Sequence, residues 1–166
     1  RHHMMGHMIL WGLKKPVMPW ASGGPAEGEI GGTLDTVMSY WADQTHAQGG
    51  TVVIPHFPLP NGEQAALIAT GRIDGAEMLR HGMFEHLEYY KYLNCGYRVP
   101  LVGGTDKMTS EVPVGLYRTY AYIPDDQEFT YDAWCRSVTQ GRNFLSGGPI
   151  IHFSVDGAQL GDTVQM

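Results

Sequence analysis

The sequence predicts an α/β fold in which parallel strands are joined by crossover helices. Three observations lead there. Short apolar or β-branched runs alternate with amphipathic runs of helical period along most of the 166 residues. Glycine or proline punctuates nearly every junction. Hydrophobic residues make up 43% and charged residues 17%, enough for a real core and too little charge for disorder.

The elements follow in order. "GHMILWGL", from Gly6 to Leu13, is apolar without helical period and reads as a buried strand. Residues 14–32 are rich in proline and glycine, a loop long enough to carry function. Thr33 caps a helix whose Leu34, Val37, Met38, Trp41 and Ala42 share one face, and Gly49 and Gly50 stop it. "TVVIPHF" is a β-branched strand running into His56. "GEQAALIAT" then reads as a short helix, "IDGAEML" as a strand and "FEHLEYYKYLNCG" as an amphipathic helix. "VPLVGG" and "GLYRTYAYI" are further strands, with the helix "TYDAWCRSVTQG" starting at Thr130. "RNFLSGGP" turns the chain into "IIHFSVDG", which alternates like an antiparallel strand and carries a turn at Asp156-Gly157. Residues 1–149 thus form one α/β unit, and residues 150–166 open a separate β element.

Composition narrows the function. A net charge of −6 with only 11 Lys and Arg supplies no footprint for nucleic acid or an acidic membrane surface. No run of about 18 apolar residues is present to span a bilayer. Cys95 and Cys135 are too few for a disulfide framework and read as small packed side chains. Nucleophile-elbow, phosphate-loop and dinucleotide motifs are absent.

In parallel α/β folds ligands sit at the carboxyl ends of the strands. There the second strand ends at His56 and the "VPLVGG" strand at Asp106, both good ligands for a divalent metal. His7 stands near the start of the first strand and Lys14 beyond its end. Each candidate has a plainer reading. His56 fits a turn histidine bonded to backbone, and Asp106 a cap for the turn after Gly103 and Gly104. Glu77, inside an apolar strand, needs a partner, and Arg72 or Arg80 is the expected one. His46 reads as surface, His81 and His86 as solvated, and His152 as an ordinary strand histidine.

Taken in order, "GHMILWGL", "VVIPHF", "IDGAEML", "EYYKYLNCGYRVPLVGGTD", and "GRNFLSGGP" with its following "VDG" and "GD" resemble the CehA/McbA-type metallohydrolases. These belong to the PHP (polymerase and histidinol phosphatase) superfamily. The resemblance implies part of a distorted β/α barrel holding two or three divalent metal ions, Zn, Mn or Fe, at its strand ends. By similarity, His7, His56 and Asp106 are the metal ligands, with His56 and Asp106 at the catalytic centre. The activity implied is hydrolysis of a small-molecule phosphoester, carbamate or ester by metal-bound hydroxide. Lys107 and Arg118 are the nearest basic candidates for binding a substrate anion.

The family's amino-terminal His-x-His motif and its bridging glutamate are missing, and Met108 stands where a histidine is frequent. The chain therefore reads as the carboxyl-terminal portion of a longer protein with fewer metals. Such a portion is expected to associate with itself or with the missing half, covering open sheet edges. The competing reading is a non-catalytic binding or structural domain with a decayed PHP-like site.

Overall fold

The computed structural model describes residues 5–20, 36–58, 62–80, 83–84 and 86–165. They form a mixed α/β fold. Strand β1 (Ile9–Trp11) is followed by helix α1 (Met38–His46), β2 (Thr51–Ile54), α2 (Gln64–Ala69) and β3 (Gly75–Arg80). Then come β4 (Met83–Phe84), α3 (His86–Asn94), β5 (Leu101–Gly103), β6 (Arg118–Ala121), α4 (Tyr131–Thr139) and β7 (Asn143–Ser146). The predicted start of the first helix at Thr33 lies outside the described residues.

Five strands make one sheet, with β3 at its centre. Ala76 of β3 is in register with Ile54 of β2 on one side and with Leu101 of β5 on the other, both parallel. The short β4 folds back antiparallel on the end of β3. Strand β1 departs from expectation: it pairs antiparallel with β2, Ile9 opposite Val53 and Trp11 opposite Thr51. The sheet is therefore mixed, and its described strands do not close into a barrel.

Alternation along the strands sends side chains to two cores. Val52, Ile54 and Ala76 face Met38, Trp41 and Ala42 of α1 and Leu67 and Ile68 of α2. Val53 and Val102 point the other way, toward Val138 and Trp134 of α4 and the Ile9 and Trp11 side chains of β1. All four residues of β2 are buried, as a strand covered on both faces requires. The indole of Trp41 donates to the Pro19 carbonyl at 2.6 Å, tying the loop after β1 to α1. Helix α4 begins as expected: the Thr130 hydroxyl accepts the Ala133 N–H at 3.1 Å.

Strands β6 and β7 form an antiparallel ribbon, Arg118 opposite Ser146 and Ala121 opposite Asn143. Side chains join it to β5. The Thr119 hydroxyl bonds both backbone groups of Gly103, and the Asn143 amide donates to the Leu101 carbonyl at 2.6 Å. A Cβ at Gly103 would lie 2.9 Å from the Arg118 carbonyl oxygen, so glycine is what lets the ribbon approach.

Several expectations change. "RNFLSGGP" carries strand β7 as well as the turn. "IIHFSVDG" forms no strand: a single bridge joins Val155 to Ala158 across the expected Asp156-Gly157 turn. Ile151 and Phe153 are about 70% exposed there, because alternation alone provides no neighbouring strand to pair with. His152 is accordingly an exposed residue outside any strand. Cys135 is buried as expected, but Cys95 is exposed. No helix among the described residues is long and apolar enough to cross a membrane.

Candidate metal centre

Three neighbouring parallel strands, β2, β3 and β5, deliver their carboxyl ends to one edge of the sheet. Just beyond β2 stands His56, in the left-handed region at φ 56°. In the middle of β3, Glu77 is only 4% exposed. Beyond β5 stands Asp106, half-buried and also left-handed at φ 46°. Positive φ is uncommon outside glycine, and here it marks two of the candidate ligands.

The antiparallel course of β1 decides where His7 goes. With Ile9 opposite Val53, the residues before Ile9 run beside the end of β2. His7 is exposed there, and its ring packs edge-on against that of His56 with centroids 4.9 Å apart. Had β1 run parallel, His7 would lie at the far edge and Lys14 at this one. Lys14 instead lines a cleft at the opposite edge with Thr51 and Asp74, its N–H bonded to the Gln48 side chain at 3.1 Å.

Of the two arginines expected to pair with Glu77, one is taken elsewhere and the Arg80 side chain lies outside the described residues. Arg72 pairs with Asp43, at 2.8 Å, holding that carboxyl below its usual range. The Glu77 Oε2 atom instead accepts the His56 backbone N–H at 2.8 Å and lies 3.4 Å from the His56 Nδ1. Its main-chain carbonyl accepts the Phe57 N–H at 2.8 Å. The second glycine of "VGGTD" belongs to the same arrangement, since a Cβ at Gly104 would sit 1.8 Å from the Glu77 Oε1. A buried carboxylate in an apolar strand was itself the signal; its partner comes from the neighbouring strand, which local spacing does not reveal.

Lys107 and Arg118 are both exposed and both locally engaged. The Lys107 ammonium donates to the Thr109 and Val112 carbonyls at 2.5 and 2.6 Å. The Arg118 guanidinium donates to the Gly115 carbonyl at 2.5 Å and to the Tyr120 hydroxyl at 3.1 Å. His46, expected at the surface, is half-buried and bonded to Asp74 at 2.8 Å. Asp74 also accepts the Val52 N–H at 2.7 Å, so this pair serves the opposite edge of the sheet. His86 is exposed on α3, and His81 lies outside the described residues.

The donor chemistry fits a divalent cation of borderline softness: two adjacent imidazoles at a strand-end edge. It does not amount to a closed site. Among the described residues no three His, Cys, Asp or Glu side chains converge as a metal-binding group. Met8, next to His7 in sequence, helps line a cleft of about 510 Å³ that extends past Leu10, Leu13, Trp20 and Trp41 to Lys14.

Compared with known proteins, the chain matches no family model, no curated protein and no solved structure.

Proposed function

We propose that the chain is part of a metal-dependent hydrolase of the PHP type, with a sheet that belongs to a distorted β/α barrel. The observation that carries this reading is the packing of His7 against His56 at the carboxyl-end edge of the sheet. His7 and His56 would hold a divalent cation, with Asp106 from the end of β5 as a further donor. When bound, the cation would supply an acidified water, its pKa lowered to about 7, and charge for a developing oxyanion.

The chain's own residues supply the rest. His56 is aimed by the turn it sits in, and Glu77 holds that turn through the His56 N–H. The cleft beside Met8, with two indoles in its wall, suits an apolar leaving group and favours a carbamate or aryl ester over a bare phosphoester. Lys107 and Arg118 follow Asp106 in the chain and keep donors beyond their local bonds for a substrate anion. Exposed Leu87, Tyr90 and Tyr97, on and just after α3, support self-association.

A second reading, a binding or structural domain without catalysis, is favoured by the lack of a three-donor group among the described residues. Elemental analysis of untagged chain purified without chelators separates the two. Stoichiometric metal that is lost in His56→Ala, with turnover of a p-nitrophenyl ester, supports the hydrolase. A well-folded chain without metal supports the alternative.

A further inference from the structure

We infer that Glu77 is a positioning residue that sets the tautomer of His56, placing the proton on Nδ1 and the free lone pair on Nε2. This rests on the proposed metal-binding role of His56 and specifies how that ring is made ready for it. A carboxylate at 4% exposure is costly unless its oxygens are satisfied. Arg72 is taken by Asp43, and the Glu77 Oε2 atom faces the His56 backbone N–H at 2.8 Å and the His56 Nδ1 at 3.4 Å. A carboxylate is acceptor-only, so the ring nitrogen turned toward it gains only as N–H. The His56 Nδ1 is buried with no other partner, and hydrogen bonds behind a reacting or ligating group are often long before the ligand binds. With the proton on Nδ1, Nε2 is left as the ligating nitrogen, as carboxylate–histidine pairs behind metals require.

Two further features keep the carboxylate there. His56 sits at φ 56°, a conformation that needs an outside hold, and the N–H to Oε2 bond supplies it. Gly104 leaves the space that Oε1 occupies, which any Cβ would enter at 1.8 Å. The His56–Glu77–Gly104 row therefore runs across β2, β3 and β5 as one unit.

The test is long-range ¹H–¹⁵N NMR of the histidine rings in the metal-free full chain at about pH 8.5, where an ordinary imidazole is neutral. His56 is assigned by its loss in His56→Gln. The wild type is expected to show the Nδ1–H tautomer. Glu77→Gln, which keeps shape and an acceptor but loses the charge, is expected to raise the Nε2–H population and weaken Zn²⁺ binding about 10- to 100-fold. Gly104→Ala displaces the carboxylate by contact while leaving its charge unchanged and is expected to act the same way, which covers the case of Glu77→Gln failing to fold. An Nε2–H tautomer in the wild type overturns the inference. So does a lowered Tm in the variants with tautomer and Zn²⁺ affinity unchanged. His56→Ala binding Zn²⁺ as tightly as wild type would defeat the metal role instead, while the tautomer result would stand or fall separately.

Discussion

The Thr119 hydroxyl takes both main-chain groups of Gly103, receiving its N–H at 3.0 Å and donating to its carbonyl at 3.1 Å. One side chain thus does the work of a ladder partner and fastens the β6–β7 ribbon to the central sheet. Thr119→Val keeps the shape and removes both bonds. Leaving the half-buried backbone groups of Gly103 unsatisfied is expected to cost about 1–2 kcal/mol in urea unfolding, toward the low end for two such groups. An unchanged midpoint would mean that water replaces the hydroxyl.

At the opposite edge, Asp74 accepts from both Val52 and His46. Asp74→Ala is expected to destabilise by about 1–3 kcal/mol, and His46→Ala by less, because it spares the Val52 bond. Neither is expected to alter metal content, since both side chains lie away from His7 and His56. Metal lost in Asp74→Ala at full folding would move the site.

Helix α4 depends on its cap. Thr130→Ala removes the acceptor for the Ala133 N–H and is expected to cost about 1 kcal/mol. Thr130→Asn, which keeps an acceptor, should restore most of it, read as the shift in thermal midpoint.

The two thiols should behave differently. Exposed Cys95 is expected to react with Ellman's reagent in the native chain, and buried Cys135 only on unfolding. Burial also pushes the Cys135 thiol up, so the folded state holds that proton longer than the unfolded state does. The resulting stability is whole below the unfolded thiol's pKa of about 8.5 and falls as pH rises above it. Tyr89, Tyr92 and Tyr131, also raised by burial, add a loss of the same sign above about pH 10. Cys135→Ala should flatten the first part of that decline in a pH series of unfolding curves.

For the candidate centre, His56→Ala is expected to abolish metal binding and Asp106→Asn to weaken it about tenfold or more. Isothermal titration with Zn²⁺ and Mn²⁺ measures both. Full affinity in Asp106→Asn would leave His7 and His56 as the whole protein contribution.

Much of this architecture was legible locally. The β-branched run of β2, the capped periodicity of α4 and the Asp156-Gly157 turn each state their structure within a few residues. "VPLVGG" was legible as a strand, though its two glycines were not legible as a fit: one meets the backbone of Arg118 and the other the carboxylate of Glu77. Both contacts join segments distant in the chain. Strand β7 was missed for a similar reason, because four residues ending in Ser146 have no signature until β6 pairs with them.

By itself the sequence determined the α/β class, the identity of the apolar faces and the presence of His56 and Asp106 at strand ends, because periodicity and turn chemistry act over one or two turns of chain. Tertiary structure alone decided the direction of β1. That direction is set by which hydrogen-bond ladder β1 joins, and it moves His7 from one edge of the sheet to the other. It also decided the partner of Glu77, since a buried carboxylate is satisfied by whatever donor the neighbouring strand presents, and here that donor is His56.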